Sequence, residues 1–415
     1  MTTPERSAPW WRHQFPVYSP LSATALLRGV GAALNDGHPE RAAAPVVALV
    51  RERYAPQAVL LTDSGTAALT LALLGVLGES PGGAAVALPA FGCYDLATAA
   101  DGAGVPVLLY DTDPSTLGPD LASLGAALHR GARAVVVAHL YGCPVDVAAV
   151  NRLAAETGAL VIEDAAQAAG ATLTDRPLGA HASLAILSFG RGKGLTGGGG
   201  GALLAYDDAA VRQLERARAL LEAPRRGWRD LVSVAAQLIL VRPNLYALPA
   251  TSPFLGLGQT IYRAPRPLRA PSAASCSVIA ATWGAATREV EARRRNAERL
   301  LAEVRRQPGF TTIRVPPQAR PGYLRLPVLP SPAARRSATE AGARRLGVAP
   351  GYPKALCDLE GFGSRCLNRD RTFLGSRLLA TRLCTLPTHS RLEASDLARL
   401  THWIRSVGAS KSEVD

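Results

Sequence analysis

The sequence predicts an α/β protein: a large domain built on a mostly parallel sheet, followed by a smaller α+β domain at the C-terminal end. From about residue 58, short apolar runs rich in β-branched residues alternate with longer helical patterns. Such strand–helix–strand repetition builds parallel sheets with helices on both faces. The length of 415 residues also favours two or three domains over one.

Six strands are predicted in the large domain, at residues 84–88, 105–110, 133–138, 159–163, 184–189 and 202–206. Between the third and the fourth, apolar residues recur at helical spacing from Val147, and Gly158 provides a stop signal. Ligands of such sheets bind at the carboxyl ends of the strands. Functional side chains are therefore expected where these strands end.

The alternation weakens after about residue 208. Residues 222–270 contain six prolines among apolar and basic residues, which predicts an irregular excursion or a subunit-contact segment. A long helical pattern at 280–306 then predicts a connecting helix with a charged, solvent-facing side.

Beyond Pro316 a strand is predicted at 323–328, followed by helices at 337–346 and 394–407. These elements indicate a second, smaller domain. The expected division is residues 1–280, an N-terminal arm plus the large domain, and residues 281–415, the connecting helix plus the small domain.

The composition is that of a globular protein, with 48% hydrophobic and 19% charged residues. The net charge of +13 invites a nucleic-acid partner, but the arginines are scattered, aromatic residues make up only 5%, and no nucleic-acid-binding motif is present. We expect no nucleic-acid partner. An acidic small substrate is compatible with the charge.

Cysteine usage and hydropathy indicate a cytoplasmic protein. The six cysteines form no C-x-x-C pair, which predicts free thiols in a reducing compartment and no metal site. No signal peptide is evident, and no transmembrane segment is expected. The most apolar later stretch, residues 231–241, is about half the length that a bilayer requires. It predicts a buried or partner-facing helix, with a helix on a membrane surface as the alternative.

Lysine is nearly absent. Of the 46 lysines and arginines only Lys193, Lys354 and Lys411 are lysines, and Lys193 lies in the run Ser-Phe-Gly-Arg-Gly-Lys-Gly just before five glycines. An arginine cannot give up its proton near neutral pH, whereas a lysine amine can attack a carbonyl and form a Schiff base. The position of Lys193 therefore indicates amine chemistry, with an ordinary surface lysine as the alternative.

Two further motifs lie at predicted strand ends. Thr-Asp-Ser-Gly-Thr at residues 62–66 opens a helix of small and aliphatic residues, where backbone N–H groups can bind a phosphate, although Ser64 is equally an ordinary N-cap. Glu-Asp-Ala-Ala-Gln at residues 163–167 follows a buried strand. Asp164 can hold a ring nitrogen protonated, and a helix-capping aspartate is the alternative.

These three motifs occur in order with three others: Pro-Ala-Phe at 89–91, His-Leu-Tyr-Gly at 139–142 and Leu-Pro-Thr-His at 386–389. Together they resemble the sugar aminotransferases of the DegT/StrS family, which are fold-type-I pyridoxal phosphate enzymes. The resemblance is continuous over about residues 58–206 and returns patchily over 284–405.

The resemblance implies pyridoxal 5'-phosphate as the cofactor. Lys193 would form the Schiff base with it and afterwards shuttle a proton, Asp164 would pair with the ring nitrogen, and Gln167 would lie by the phenolic oxygen. The phosphate would be held by Gly65, Thr66 and Ser188.

The resemblance further implies amino transfer from glutamate or glutamine to a keto sugar, expected to be nucleotide-linked, or to a related cyclic ketone. Such a reaction would serve secondary-metabolite or polysaccharide biosynthesis. A homodimer is expected because the family builds its sites from both subunits.

Several departures from the family pattern are visible. Cys93 occupies the position of an aromatic residue that stacks on the cofactor ring, and Tyr94 or Phe91 is the expected substitute if stacking is kept. Gly199 replaces an acidic residue in the glycine-rich stretch. The asparagine and arginine that a partner subunit ordinarily contributes are not recognisable before Ala280.

Two alternatives accompany the transaminase interpretation: a pyridoxal phosphate-dependent dehydratase, lyase or carbon-skeleton enzyme of the same fold, and a non-catalytic homologue. Family dehydratases carry histidine in place of Lys193, which favours transamination. Arg191 could steer an anion or face solvent. His139 and His389 could act as acid or base, although structural roles are the simpler expectation.

Overall fold

The computed structural model describes residues 12–35, 39–78, 84–251 and 261–409. In chain order as far as residue 164, the helices and strands are α1 Ala23–Leu34, α2 Pro39–Tyr54, β1 Ala58–Thr62, α3 Gly65–Leu77, β2 Ala85–Pro89, α4 Asp95–Gly102, β3 Val107–Tyr110, α5 Leu121–His129, β4 Ala132–Ala138, α6 Val147–Thr157 and β5 Leu160–Asp164.

The chain continues with β6 Thr172–Leu173, β7 Arg176–Pro177, β8 Leu184–Ser188, β9 Gly201–Ala205, α7 Asp208–Arg218, α8 Trp228–Leu240, α9 Pro243–Thr251 and α10 Ala273–Val304. The remaining elements are β10 Phe310–Thr312, β11 Ala319–Arg320, β12 Leu326–Pro330, α11 Pro332–Ala338, α12 Ala341–Arg345, β13 Ala349–Pro350, α13 Leu374–Arg382, β14 Cys384–Leu386 and α14 Ala394–Gly408.

Seven strands form the main sheet in the order β1-β9-β8-β5-β4-β2-β3. The strands from β8 to β3 pair in parallel, whereas β9 is antiparallel to both β8 and β1. The predicted α/β class with a mostly parallel sheet is confirmed, and each of the six predicted strands is present within two residues of its expected bounds.

Helices cover both faces of this sheet. On one face α3, α4 and α7 pack on apolar side chains such as Leu88 and Val136. On the other face α2 and α10 cover Leu187 and Leu204, while α5 and α6 cover Val135. Because successive side chains of a strand point to opposite faces, nearly continuous apolar runs are what a sheet buried on both sides requires.

The C-terminal half carries a second, antiparallel sheet in the order β10-β12-β14-β13. The C-terminal turns of α10, together with α11, α12 and α14, pack on it around residues such as Leu300, Val328 and Ile404. Helix α10 runs across residue 280, where the sequence divides the two expected domains. That division stays a prediction.

Three boundaries in the C-terminal half differ from prediction. The strand expected at 323–328 begins later, because Tyr323 has a left-handed φ of 41° that ends extended pairing. The helix expected at 337–346 is two short helices, since Ser331 caps a helix with Pro332 in its first turn and Glu340 is extended. The connecting helix starts at Ala273, capped by Ser272.

Residues 222–270 are less irregular than predicted, because they contain α8 and α9. Pro243 is compatible with a helix because it occupies the first turn, where its missing N–H has no intrahelical acceptor. Residues 252–260 of this segment and Lys411 lie outside the described residues.

Helix α8 contains the apolar stretch singled out in the sequence. Leu231 and Val234 are buried against α1 and α10, whereas Val232 and Ile239 are 69% and 58% exposed. Among the helices that the described residues form, none combines the length and apolar composition needed to cross a bilayer.

Candidate active site

The strand order brings the predicted motifs to one edge of the sheet. Strands β1 and β8 run in the same direction because both are antiparallel to β9, and β5 is parallel to β8. The carboxyl ends of these three strands, Thr62, Asp164 and Ser188, therefore lie at the same edge.

Glycines allow the turn after β1 to touch the end of β8. A Cβ placed on Gly65 would lie 2.6 Å from the Cβ of Ser188, and one on Gly201 would lie 2.5 Å from the carbonyl carbon of Ser64. Neither contact is possible for a residue with a side chain. The N-terminus of α3 is therefore held directly against the strand that leads to the lysine loop.

All six predicted site residues line one cavity at this edge: Gly65, Thr66, Asp164, Gln167, Ser188 and Lys193. Lys193 lies on the glycine-rich loop between β8 and β9. The rest of the lining comes from the start of α3, from α4 and from the neighbouring strand ends. Three motifs that are far apart in the sequence are thus brought together.

One end of the cavity offers hydrogen-bond donors. Gly65 and Thr66 occupy the first two positions of α3, where backbone N–H groups have no intrahelical acceptor. The side chain of Ser64 caps the third, accepting from the N–H of Ala67 at 3.1 Å. With the hydroxyl of Ser188, this arrangement suits a phosphate.

Asp164 provides a buried carboxyl group in the same cavity. Its side chain is 8% exposed, and Oδ1 accepts a hydrogen bond from the N–H of Ala166 at 2.9 Å. Burial raises the pKa of Asp164, although this hydrogen bond and the positive charge of Lys193 oppose the shift. A cationic ring nitrogen bound here would favour the ionised form.

The neighbouring acid, Glu163, has a different role. Its carboxylate accepts hydrogen bonds from Nε2 of His139 at 2.9 Å and from the N–H groups of Gly179 and His181 at 2.6 and 2.7 Å. Burial alone would raise the pKa of Glu163, but these donors outweigh it and the pKa is lowered. Glu163 therefore holds the framework together and is not part of the cavity lining.

The protonation of His139 follows from its two hydrogen bonds. The N–H of Val145 donates to Nδ1 at 3.2 Å, so this nitrogen carries no proton, and Nε2–H donates to Glu163. His139 is thus a neutral structural group beneath the site and does not line the cavity. Arg191 is exposed and also lies outside that lining.

Gln167 is held in one orientation. The N–H of Tyr141 donates to Oε1 at 3.1 Å, which fixes the oxygen of the side-chain amide on that side. Its Nε2 therefore donates to the hydroxyl of Tyr352 at 2.8 Å. Sequence reasoning missed Tyr352, which reaches the site from the second half of the chain.

Tyr352 belongs to a cluster of aromatic rings. Its ring centroid lies 5.7 Å from that of Phe91 and 6.0 Å from those of Tyr94 and Tyr141. The N–H of Lys354 donates to the Tyr94 hydroxyl at 2.9 Å and fixes the loop that carries Tyr352. The sequence marks Tyr352 only as an aromatic residue within Gly-Tyr-Pro. That pattern does not indicate which distant residues Tyr352 contacts.

Of the three candidates for the stacking position, only Cys93 lines the cavity. Phe91 and Tyr94 pack on Tyr352 instead. Burial raises the pKa of the Cys93 thiol to about 12, so this side chain is a neutral, polarisable surface.

The acid missing from the glycine-rich stretch has a substitute. A Cβ on Gly199 would lie 2.9 Å from Oδ1 of Asp230, which comes from α8. Asp230 is held there by a hydrogen bond from the hydroxyl of Ser272 at 2.6 Å. A carboxylate is thus supplied beside Gly199 from elsewhere in the chain.

A second, larger cavity of about 560 Å³ adjoins the first, and Thr66 and Asp95 line both. Six arginines line the larger one, namely Arg225, Arg226, Arg229, Arg263, Arg266 and Arg269. Aspartates 63 and 230 are also part of its lining. The excess of guanidinium groups makes this cavity suitable for an anion.

The groups at the smaller cavity fit pyridoxal phosphate. Helix N–H groups and a serine hydroxyl suit its phosphate, the buried carboxyl of Asp164 suits a protonated ring nitrogen, and the amine of Lys193 suits an aldehyde.

The whole fold matches solved aminotransferases. A sugar aminotransferase from Micromonospora echinospora superimposes with a TM-score of 0.72 at 23% identity, covering 94% of this chain and 99% of that one. An aminotransferase of Helicobacter pylori involved in pseudoaminic acid biosynthesis gives a TM-score of 0.74 at 15% identity, covering 96% and 100%. The architecture is that of the fold-type-I pyridoxal phosphate enzymes.

Residues 50–230 match the profile of the DegT/DnrJ/EryC1/StrS aminotransferase family, which confirms the resemblance found in the sequence. L-glutamine:2-deoxy-scyllo-inosose aminotransferase of Streptomyces kanamyceticus is 33% identical over 182 residues, or 43% of this chain and 40% of the relative. GDP-perosamine synthase of Caulobacter vibrioides is 34% identical over 172 residues, or 41% and 46%. The matched region thus spans less than half of each of these relatives.

His389 is structural, and its burial makes stability depend on pH. Its Nε2–H donates to the carbonyl of Phe15 at 2.9 Å, and its ring stacks on Phe15. Burial lowers the pKa of His389 from 6.5 to about 4. As the pH falls, the unfolded chain therefore takes up the proton at a higher pH than the folded chain does. The stability that comes from keeping His389 neutral is complete above pH 6.5 and is lost as the pH falls toward 4.

We expect this histidine to remove up to about 3 kcal/mol from the free energy of unfolding over that interval. Urea denaturation at pH 4.5, 5.5 and 6.5 measures the effect. His389→Gln should flatten the pH dependence, whereas His402→Gln, at an exposed position, should leave it unchanged. Equal slopes for the wild type and His389→Gln would contradict this account.

Proposed function

We propose that this protein is a pyridoxal phosphate-dependent aminotransferase. It moves an amino group from glutamate or glutamine to a keto sugar, nucleotide-linked, or to a related cyclic ketone. The observation that supports this proposal is that Lys193, Asp164 and the free N–H groups at the start of α3 line the same cavity.

When bound, pyridoxal phosphate supplies an aldehyde and an electron-withdrawing ring. Lys193 is the amine that lines the cavity. Its Nζ would take a proton from the amino-bearing carbon of the donor and pass it to the bound cofactor, so that the donor leaves as a keto acid and its amino group stays behind. Asp164 would stabilise positive charge on the ring nitrogen. Gln167, oriented by Tyr141 and Tyr352, would lie by the phenolic oxygen of the ring.

Lys193→Ala should abolish turnover, because it removes both the nucleophilic amine and the proton carrier. The visible absorption of protein incubated with pyridoxal phosphate and its loss on adding glutamate or glutamine measure the first half-reaction. Lys354→Ala is the matched control, since its backbone N–H rather than its side chain holds Tyr94. Full activity of Lys193→Ala would contradict the proposal.

A wild-type protein that binds the cofactor but leaves every amino donor unchanged would instead support a lyase or dehydratase. A protein that binds no cofactor would support the non-catalytic alternative. The two outcomes separate the three hypotheses drawn from the sequence.

The arginine-lined cavity favours a nucleotide-linked keto sugar over a neutral cyclic ketone. A diphosphate carries charge that the guanidinium groups of this cavity can neutralise, whereas a cyclic ketone does not. Since Thr66 and Asp95 line both cavities, an acceptor with its phosphates among the arginines can extend toward the lysine.

The double variant Arg263→Ser/Arg266→Ser should raise KM for a nucleotide diphosphate-linked keto sugar by about 10- to 100-fold, because charge-assisted hydrogen bonds are lost. The donor half-reaction should keep its rate. Arg336→Ser, at an exposed position of α11, is the control. Turnover of neutral cyclic ketones alone, with KM unaffected in the double variant, would refute the nucleotide-linked acceptor.

The proposed assembly is a cytoplasmic homodimer. Exposed apolar side chains lie on neighbouring helices, Leu27 and Leu34 on α1 and Val232 on α8, each 69–70% exposed. A second copy covering this face would remove them from water. Val232→Glu should shift the sedimentation of the protein from dimer to monomer, and a wild-type monomer at micromolar concentration would refute the assembly.

A further inference from the structure

We propose that a third cavity, next to Lys193, is a second small-molecule site that binds a carboxylate carrying a single ring. This rear cavity has a volume of about 220 Å³ and lies between the C-terminal end of α2 and the middle of α10. It is distinct from the cofactor cavity, which is the one that Lys193 and Asp164 line together. The proposed amino transfer makes no use of it.

The two cavities lie on opposite faces of strand β8. Ile186 lines only the cofactor cavity, whereas Leu187 lines only the rear cavity. Successive side chains of a strand point to opposite faces of the sheet, so the strand separates the two spaces. Ala166, Ser188 and Lys193 line both and form the boundary between them. The rear cavity is therefore a neighbour of the cofactor cavity and not an extension of it.

The interior of the rear cavity is apolar and has the size of one ring. Phe189 and Leu195 line it from the lysine loop, and Trp283, Ala286 and Val290 line it from α10. The ring centroids of Phe189 and Trp283 are 6.3 Å apart. An apolar cavity of about 150 Å³ is large enough for benzene, and sites for drug-sized ligands begin at about 300 Å³. The volume of this cavity lies between those two values.

Two hydrogen-bond donors at the end of α2 line the rear cavity and are unused. Neither the guanidinium of Arg53 nor the hydroxyl of Tyr54 makes a hydrogen bond or ion pair with another described residue. Arg53 is exposed, so an anion can reach it from solvent. Burial raises the pKa of Tyr54 to about 12, so its hydroxyl stays protonated and is able to donate. A guanidinium and a hydroxyl together suit the oxygens of a carboxylate.

The other charged groups of the rear cavity leave Arg53 unmatched. Glu291 is the one acid among the described residues that line it, and its carboxylate pairs with Arg294. Arg294 also donates to the carbonyl of Gly170 at 2.8 Å, so these two side chains are occupied with protein partners. Lys193 adds a positive charge at the boundary. The surplus of positive charge favours an anion over a neutral or cationic ligand.

The apolar interior and the donors of α2 together specify the ligand. A single ring fills the interior, and its carboxylate binds at Arg53 and Tyr54. A sugar does not fit, because the apolar lining would leave its hydroxyl groups without hydrogen bonds. An acyclic amino acid does not fit either, because its ammonium group would face the same apolar lining. The ligand is thus neither the amino donor nor the keto acceptor of the proposed reaction.

Calorimetric titration with benzoate tests the charge and the ring separately. Wild type should bind benzoate at least about 10-fold more tightly than uncharged benzamide, because charge-assisted hydrogen bonds are made. It should bind acetate, which lacks the ring, at least about 10-fold more weakly than benzoate. Arg53→Gln should remove the preference for benzoate over benzamide. Arg51→Gln, at an exposed position of α2 outside the lining, should match wild type.

A variant that fills the cavity tests its location. Thr287→Phe, at an exposed lining position of α10, should weaken benzoate and benzamide alike by at least about 10-fold, because the new ring takes the space of the ligand. Arg288→Phe, exposed and outside the lining, should change neither affinity. All four substitutions are at exposed positions, so each variant should fold.

Three results would overturn the assignment of this site. The first is equal binding of benzoate and benzamide to the wild type, or binding of neither. The second is a preference for benzoate that persists in Arg53→Gln. The third is an unchanged benzoate affinity in Thr287→Phe.

Repeating the benzoate titration with cofactor-loaded protein separates the rear cavity from the cofactor cavity. Arg53 and Tyr54 line only the rear cavity, so benzoate should bind equally well before and after loading with pyridoxal phosphate. Loss of benzoate binding on loading would place the probe in the cofactor cavity and would also overturn the assignment. A protein that transfers no amino group but binds benzoate through Arg53 would refute the proposed function alone. A transaminase that binds no benzoate would refute the second site alone.

Discussion

The contact between the turn after β1 and the end of β8 is the constraint on which the site depends. Gly65 lies against Ser188, and Gly201 lies against the backbone of Ser64, at distances that no added side chain would permit. This contact holds the N-terminus of α3 beside the loop that carries Lys193. Without it, the N–H groups at the start of α3 and the amine of Lys193 would belong to separate surfaces.

The polar groups at this edge are of two kinds: some bond only within the protein and hold the structure together, and others face the cavity. Glu163 and His139 bond to one another and to the neighbouring backbone, and neither lines the cavity. Asp164 and Lys193 face the cavity, and the carboxylate there retains capacity for a ligand. Adjacent acids on one strand thus take different roles because successive side chains point in opposite directions.

Local signals predicted the site well, and long-range contacts escaped prediction. Strand ends, the Ser64 cap and a lysine in a glycine-rich run are properties of short stretches, and together with the family resemblance they indicated six of the residues that line the cavity. Tyr352 lies more than 150 residues beyond Gln167 along the chain, and only tertiary packing brings it near. The expected strand at 323–328 was misplaced for the same kind of reason, a left-handed residue whose φ no local pattern announces.

The most direct test of the account is the identity of the residue that bonds covalently to the cofactor. Protein loaded with pyridoxal phosphate, reduced with borohydride and digested should yield one modified peptide, with the pyridoxyl group on Lys193. Modification of Lys354, or of no lysine at all, would contradict the claim that Lys193 and Asp164 form a pyridoxal phosphate site.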